Sequence, residues 1–198
     1  MKNNARVVVI GGGVVGVSTL YHLVKKGWTD CVLIERKELT SGSTWHAAGL
    51  LPLFNMSYSV GQIHKYSVDL YGRLEEETGQ YAGLSRVSNI RLATTQDRMD
   101  EYKQYAGVAQ TIGVQVDILT PDEVVDIWPL AVKDNLIGAI RHPMDGYIQP
   151  ADLTQALAKG ARDIGGQIYR NTNVTAITRT QSGEWKVTTD KGEIICEH

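Results

Sequence analysis

A glycine-rich loop follows directly on a short apolar run near the start of the chain. The run Arg6-Val7-Val8-Val9-Ile10 predicts a buried strand, and it leads into Gly11-Gly12-Gly13-Val14-Val15-Gly16, a G-x-G-x-x-G pattern that opens a predicted helix. Gly11 allows the tight turn, Gly13 lets the backbone approach a pyrophosphate, and Gly16 lets the helix pack close to the strand. Free backbone N–H groups and the positive end of the helix dipole favour phosphate binding there.

An acidic residue stands where dinucleotide sites require one. The next predicted strand, 31–35, ends at Glu35, which follows Gly13 at close to the ~20-residue spacing of the acid that binds an adenosine ribose. Strand, loop, helix, strand and acid in this order predict a dinucleotide site. The alternative is a glycine-rich turn in an ordinary α/β protein.

A candidate nucleophile follows in the segment Ser41-Gly42-Ser43-Thr44-Trp45-His46-Ala47-Ala48-Gly49. Because histidine has an unperturbed pKa near ~6.5, His46 offers a neutral ring nitrogen as a nucleophile at neutral pH. The small residues after it leave space beside the ring, and the hydroxyl residues before it offer hydrogen bonds to phosphate or ring oxygens. Taken alone, His46 also fits a packed or exposed histidine near a helix start.

The loop and the histidine segment together resemble the dimethylglycine and sarcosine dehydrogenase family of FAD-dependent amine oxidoreductases. In that family the histidine of a G-S-T-W-H-A-A-G segment carries covalent FAD. The similarity is strongest over 11–49 and continues more loosely to His198. It implies FAD attached through His46. It also implies oxidation of the C–N bond of N-methyl amines such as dimethylglycine or sarcosine, with an electron-transfer flavoprotein or oxygen as electron acceptor.

The resemblance also implies the cofactor contacts residue by residue. Val14 and Val15 would lie at the pyrophosphate, and Glu35 and Arg36 at the ribose. The backbone of Val174 would lie against the adenine. The flavin would lie along what we call the 42–50 segment, formed by Gly42, Ser43, Thr44, Trp45, His46, Ala47, Ala48, Gly49 and Leu50.

The remaining reactive residues form no recognisable set. No pair of histidines has metal-ligand spacing, so no metal site is predicted. Arg86, Arg91 and Tyr147 could lie beside a substrate carboxylate or amine, but residues of these types are more often surface or structural residues. We therefore assign no catalytic residue, and we expect the catalytic residues to lie beyond His198.

Length and composition limit the class of protein. A chain of 198 residues with 42% apolar residues can bury a globular core, and a formal charge of −2 argues against a nucleic-acid partner. The longest apolar stretch, 7–17, is shorter than the ~20 residues of a membrane span, so none is expected. Two cysteines make no disulfide framework, and no leader sequence is recognised, so we expect a cytoplasmic protein.

Hydrophobic periodicity predicts the elements that position these residues. The predicted helices cover 14–26, 59–77, 96–112, 151–164 and a short helix opened by the capping box Thr120-Pro121-Asp122-Glu123. The predicted strands cover 6–10, 31–35, 87–94, 116–119, 138–141, 167–170, 174–180, 184–189 and 193–196. The residues expected to form inward stripes are Ile63, Tyr66, Leu70 and Leu74 in 59–77, and Leu153, Leu157, Ala161 and Ile164 in 151–164.

These elements predict an α/β fold with a discontinuous domain. Residues 1–80 and 146–198 would form a Rossmann-like FAD-binding domain with a β-meander, and 81–145 part of an inserted α+β substrate domain. The resemblance implies a further strand, the rest of the substrate domain and, in the dimethylglycine branch, a tetrahydrofolate-binding region beyond this chain. We therefore expect an N-terminal portion that is inactive by itself and leaves apolar side chains such as Ile194 and Ile195 uncovered.

Two other functions remain open. A nicotinamide-dependent dehydrogenase would share the glycine loop, although it would leave the histidine segment unexplained. A non-catalytic FAD-binding subunit or fragment would share both features.

Overall fold

The fold, seen in a computed structural model that describes residues 1–198, contains five α-helices and thirteen strands. The helices are α1 (Val14–Lys25), α2 (Tyr58–Thr78), α3 (Gln96–Ile112), α4 (Pro121–Ile127) and α5 (Pro150–Asp163), and a short 3-10 helix spans Ser43–His46. The strands are β1 (Asn4–Ala5), β2 (Val7–Ile10), β3 (Cys31–Ile34), β4 (Leu50–Leu51), β5 (Leu84–Arg86), β6 (Asn89–Ala93), β7 (Asp117–Leu119), β8 (Gly138–His142), β9 (Gly146–Ile148), β10 (Gln167–Tyr169), β11 (Val174–Arg179), β12 (Trp185–Thr189) and β13 (Gly192–Cys196). None of the helices combines the length and apolar character that a membrane crossing needs.

Contacts divide the chain into two compact units. Unit 1 comprises Met1–Gly49, Arg73–Gly83 and Gln149–His198, and unit 2 comprises Leu50–Gly72 and Leu84–Ile148. Helix α2 contributes its first part to unit 2 and its last part to unit 1. Residues 50–72, which we predict from the sequence to belong to the FAD-binding domain, therefore group with unit 2.

Unit 1 is built on a parallel sheet in the order β10-β3-β2. Helix α1 connects β2 to β3, and β3 is buried along its whole length, as its unbroken apolar run Cys31–Ile34 predicts. Helix α5 packs against α1, where a Cβ at Gly160 would lie 2.8 Å from the Tyr21 ring. The absence of a side chain at Gly160 therefore allows the two helices to pack closely.

A second sheet of unit 1 has the order β1-β13-β12-β11, in which β11, β12 and β13 form the predicted antiparallel meander. We expected Ile194 to be uncovered, and this is wrong, because Ile194 is fully buried in a core with Val32 and Val187. Ile195 is half-buried and pairs with Asn4 of β1. Hydrogen bonds also join the backbone of His198 to Val8 and Arg6.

Unit 2 contains two antiparallel sheets, β4-β9-β5 and β6-β8-β7. The second sheet packs against α3 and α4, and the buried cores on its two sides include Ile140 and Ala139 of β8. The predicted capping box of α4 is confirmed, since the Thr120 hydroxyl accepts from the Glu123 N–H and the Glu123 carboxylate accepts from the Thr120 N–H. The cap fixes where α4 begins.

Two predicted helix faces are partly wrong. In α2, Leu70 and Leu74 are buried, but Ile63 is 64% exposed and Tyr66 is 49% exposed. The inward face near the start of α2 instead includes Gly61, where an added Cβ would meet the Ile112 side chain at 2.4 Å. In α5 the stripe ends at Ala161, because Ile164 lies past the last helical residue and is 50% exposed.

Candidate cofactor-binding site

The glycine loop connects β2 to the amino end of α1 and has the geometry that its pattern predicts. Gly11 has φ +111°, a conformation that side-chain-bearing residues rarely adopt. A Cβ at Gly16 would lie 2.0 Å from the carbonyl oxygen of Gly11, so α1 approaches the loop more closely than any larger residue would permit. The amino end of a twelve-residue helix is thus held directly behind the loop.

The Glu35 carboxylate is anchored to this loop. One carboxylate oxygen accepts from the Gly12 N–H at 2.7 Å, and the other accepts from the Lys37 N–H at 2.7 Å. The backbone carbonyl of Glu35 accepts from the Thr172 N–H at 2.9 Å. A carboxylate offers about four acceptor positions, so both oxygens can still accept a further hydrogen bond from a ligand.

A cavity of about 270 Å³ opens beside Glu35. The residues that line it are Ile10, Gly11, Ile34, Glu35, Arg36, Thr172, Asn173 and Val174. The structure therefore brings together four residues that we predict from the sequence to bind the cofactor, namely Gly11, Glu35, Arg36 and Val174. It adds Thr172 and Asn173, which follow β10. Since β10 runs parallel to β3, the two strands end at the same sheet edge, and that topology is the signal that could have identified them.

Thr44 ties the 42–50 segment to the glycine loop. Its hydroxyl accepts from the Val14 N–H at 2.9 Å, and a Cβ at Gly13 would lie 2.9 Å from the same oxygen. Val14 and Thr44, both selected from sequence, are therefore in direct contact. The Val14 N–H is engaged in this bond, and Val15 at the start of α1 is 77% exposed.

The rest of the 42–50 segment lies mostly at the surface. Thr44 is buried, whereas Gly42, Ser43, Trp45, His46, Ala47 and Ala48 are exposed. His46 is the last residue of the 3-10 helix, and because the residue is exposed, a reactant can reach it. Gly49 has φ +74°, and Leu50, 69% exposed, is the first residue of unit 2.

The residues that could neighbour a substrate, Arg86, Arg91 and Tyr147, lie in unit 2, and none of them lines the cavity beside Glu35. Arg86 is exposed, and its guanidinium packs against Gly72 of α2. A Cβ added at Gly72 would lie 2.3 Å from a nitrogen of that guanidinium. Arg91 is half-buried over the Phe54 ring at 4.5 Å, and Tyr147 is 44% exposed on β9. No group of three or more His, Cys, Asp or Glu residues could hold a metal ion.

The chain is similar to a family of FAD dependent oxidoreductases and to two much longer proteins. The family model of the DAO family, described as FAD dependent oxidoreductase, matches residues 6–197. Dimethylglycine dehydrogenase, mitochondrial, from Rattus norvegicus is 43% identical over 193 residues, which are 98% of this chain and 22% of that protein. The pyruvate dehydrogenase phosphatase regulatory subunit, mitochondrial, from Mus musculus is 39% identical over 194 residues, which are 98% of this chain and 22% of that protein. The chain therefore spans less than a quarter of the length of these relatives.

Solved structures show the same architecture. The crystal structure of L-proline dehydrogenase from P. horikoshii aligns with a TM-score of 0.89 and 27% identity, over 100% of this chain and 52% of that one. This likeness confirms the α/β fold class that the sequence predicts.

Proposed function

The chain belongs to the DAO family of FAD dependent oxidoreductases, and from that premise we propose that unit 1 binds FAD in the Rossmann manner and unit 2 is part of a substrate domain. The observation that carries this proposal is the cavity that joins Gly11, Glu35, Arg36 and Val174. The amino end of α1 would bind the pyrophosphate through the helix dipole and through N–H groups other than that of Val14, which donates to Thr44. Glu35 would accept hydrogen bonds from the ribose hydroxyls, and the backbone of Val174 would lie against the adenine.

The residues present fit the flavin end of the cofactor as well. Thr44 holds the 42–50 segment against the glycine loop, and the exposed side chain of Trp45 offers apolar surface to a ring system. We propose that His46 attaches covalently to the flavin, because its imidazole is accessible and its neighbours Ala47 and Ala48 are small. A neutral imidazole nitrogen is the nucleophile that this bond needs.

For the whole protein we propose oxidation of the C–N bond of N-methyl amines such as dimethylglycine or sarcosine. FAD, when bound, supplies the redox chemistry. The names of two similar proteins support this substrate class, since dimethylglycine and L-proline are both amino acids whose nitrogen bears more than one carbon substituent. The electron acceptor would be an electron-transfer flavoprotein or oxygen, and tetrahydrofolate could bind outside this chain to take up the one-carbon unit.

A non-catalytic FAD-binding subunit is the second candidate. One relative at 39% identity is named a regulatory subunit rather than an oxidase or dehydrogenase. The fold and the glycine loop would serve either function, because cofactor binding alone does not require turnover.

The test uses the full-length protein without oxygen. Addition of dimethylglycine or sarcosine should remove the visible flavin absorbance, whereas trimethylglycine should not, because its quaternary nitrogen has no lone pair to form an imine. Bound flavin that no N-methyl amine reduces would favour the non-catalytic subunit. A colourless protein that binds a nicotinamide dinucleotide would contradict the proposal.

We also propose a cytoplasmic location. Its support is that Cys31 and Cys196 are both buried free thiols, a state that a reducing compartment maintains.

A further inference from the structure

An unusual group of polar side chains lies inside unit 2, on the face of the β6-β8-β7 sheet that packs against α3. Side chains alternate along a strand, so Asn89 and Arg91 of β6 share a face with the buried Ala93. Asn89 pairs directly with His142 of β8, which places both side chains on that face. His142 is fully buried, and Asp145, in the turn that follows β8, is 1% exposed.

The polar atoms of this cluster are not satisfied by the protein. The buried atoms Asn89 Oδ1, Arg91 Nε, His142 Nδ1, His142 Nε2 and Asp145 Oδ2 have no hydrogen-bond partner among protein atoms. Arg141 Nε is the one other buried side-chain nitrogen or oxygen atom that has no hydrogen-bond partner. Burial of unpaired polar groups is costly, and a concentration of them in one place indicates a ligand that pairs with them.

The cluster is compact as well as polar. The Phe54 ring lies under the Arg91 guanidinium at 4.5 Å and 6.0 Å from the His142 ring, and Tyr105 lies 5.4 Å from His142. Asp145 reaches the same region, because its Oδ1 accepts from the Leu53 N–H at 2.9 Å. The Tyr105 hydroxyl donates to the carbonyl of Leu53 at 2.9 Å.

The charges around the cluster define what can bind. Burial, with a smaller contribution from Arg91, lowers the pKa of His142 to about 4, so the ring is neutral at pH 7 and offers one donor and one acceptor. Burial raises the pKa of Asp145 to about 6, so this carboxyl is mainly ionised at neutral pH. Arg91 Nε is a donor, and Asn89 Oδ1 and Asp145 Oδ2 are acceptors.

A ligand for this set must both donate and accept. An anion would pair with Arg91 but be repelled by Asp145. A cation would pair with Asp145 but be repelled by Arg91. Water has no charge and forms about three hydrogen bonds when buried. We propose that Asn89, Arg91, His142 and Asp145 form an internal hydration site, whose ordered water joins β6, the end of β8 and the turn that anchors Leu53.

A high-resolution crystal structure of the full-length protein tests this directly. We expect electron density for one or more water molecules within hydrogen-bond distance of at least three of the five unpaired atoms. Direct side-chain pairing in the cluster, an absence of such density, or density for an anion bound to Arg91 would each overturn the proposal.

Two substitutions give an independent test by hydrogen exchange of the peptides that contain β6 and β8. If His142 pairs with ordered water, His142→Leu removes one donor and one acceptor from the hydration site, and exchange should become about tenfold faster. His142→Gln keeps one donor and one acceptor, so exchange should stay near that of the wild-type protein. If the cluster is dry, His142→Leu only removes an unpaired imidazole, and exchange that is unchanged or slower would contradict the proposal.

Discussion

Glu35 illustrates how a single side chain can organise a cofactor site. Its two carboxylate oxygens hold the loop and the chain after β3 through the N–H groups of Gly12 and Lys37. The same carboxylate borders the cavity in which we propose that the adenosine binds. Substitution of Glu35 should therefore weaken FAD binding, both by removing the acceptors for the ribose and by releasing the Gly12 N–H that holds the loop.

We predict that Glu35→Ala weakens FAD binding by about tenfold or more, since each ribose hydrogen bond to a carboxylate contributes roughly 1.5–3 kcal/mol. The measurement is a fluorescence titration of FAD in a His46→Ala background, where we expect the flavin to be releasable. Glu38→Ala is the matched control, because the Glu38 carboxylate binds Arg170 and Asn171 outside the cavity lining. Equal FAD affinity in the Glu35 and Glu38 variants would remove Glu35 from the site.

His142 and Asp145 respond to pH in opposite directions. The pKa of His142 is lowered to about 4 from 6.5, so the unfolded chain binds more protons between these values and the free energy of unfolding rises with pH. The pKa of Asp145 is raised to about 6 from 3.8, so the folded chain binds more protons there and the free energy of unfolding falls with pH. In the wild-type protein the two effects largely cancel.

Single substitutions should separate these effects. In Asp145→Asn, the free energy of unfolding should rise by about 3 kcal/mol from pH 4 to pH 6.5, because only the lowered pKa of His142, about 4 instead of 6.5, then remains. In His142→Gln it should fall by a similar amount from pH 4 to pH 6, because Asp145 remains. Urea unfolding across this range measures both slopes, and slopes equal to that of the wild-type protein would contradict the assignment.

At the scale of single residues, the sequence predicted those parts of the site that a motif defines. Gly11, Glu35, Arg36 and Val174 meet at one cavity, and Thr44 contacts the loop. Thr172 and Asn173 were missed because they carry no motif and reach the cavity only through the pairing of β10 with β3. The polar cluster around His142 was missed because sequence reasoning could not tell that this face of β6 is buried.

At the scale of elements, the link between the glycine loop and α1 depends on close packing. Gly16→Ala would place a Cβ 2.0 Å from the Gly11 carbonyl, a backbone atom that cannot move aside cheaply. Gly107 lies inside α3 with open space around its Cβ position, so alanine there should favour the helix. The two glycines thus make a matched pair.

We predict that Gly16→Ala lowers the flavin content of the purified protein and destabilises it by more than 1 kcal/mol, a typical size for such overpacking. Gly107→Ala should raise the free energy of unfolding by roughly 0.5–1 kcal/mol and leave the flavin content unchanged. Flavin-to-protein absorbance ratios and urea unfolding measure both effects. A Gly16→Ala protein with full flavin content would show that the loop tolerates a displaced helix.

Elements with long or regular apolar patterns were predictable, and short ones were not. Helix α3 has the predicted bounds, and α4 begins where its capping box requires. Strands β4 and β9 were missed because two or three residues carry no periodic signal, and their pairing of Leu50 with Tyr147 is a tertiary contact. The inward face of α2 was misjudged because Gly61, which has no side chain to reveal burial, packs against Ile112.

At the scale of the whole molecule, this chain spans 22% of the related dimethylglycine dehydrogenase, and most of its 42–50 segment is exposed. Water would therefore have free access to a substrate beside the flavin, and the geometry that favours reaction would not be held. We predict that the 198-residue chain alone does not oxidise sarcosine or dimethylglycine, whereas the full-length protein oxidises one of them. Dye reduction by the isolated chain above the rate of its His46→Ala variant would contradict this.

The most direct test of covalent flavin attachment at His46 is the location of the flavin on the chain. The full-length yellow protein would be denatured in acid, freed of small molecules and digested, and its peptides analysed by mass spectrometry. We predict that the peptide containing His46 carries the added mass of FAD, that fragmentation places this mass on the His46 ring, and that His46→Ala releases all flavin on denaturation. Complete release of flavin from the wild-type protein, or attachment at another residue, would contradict it.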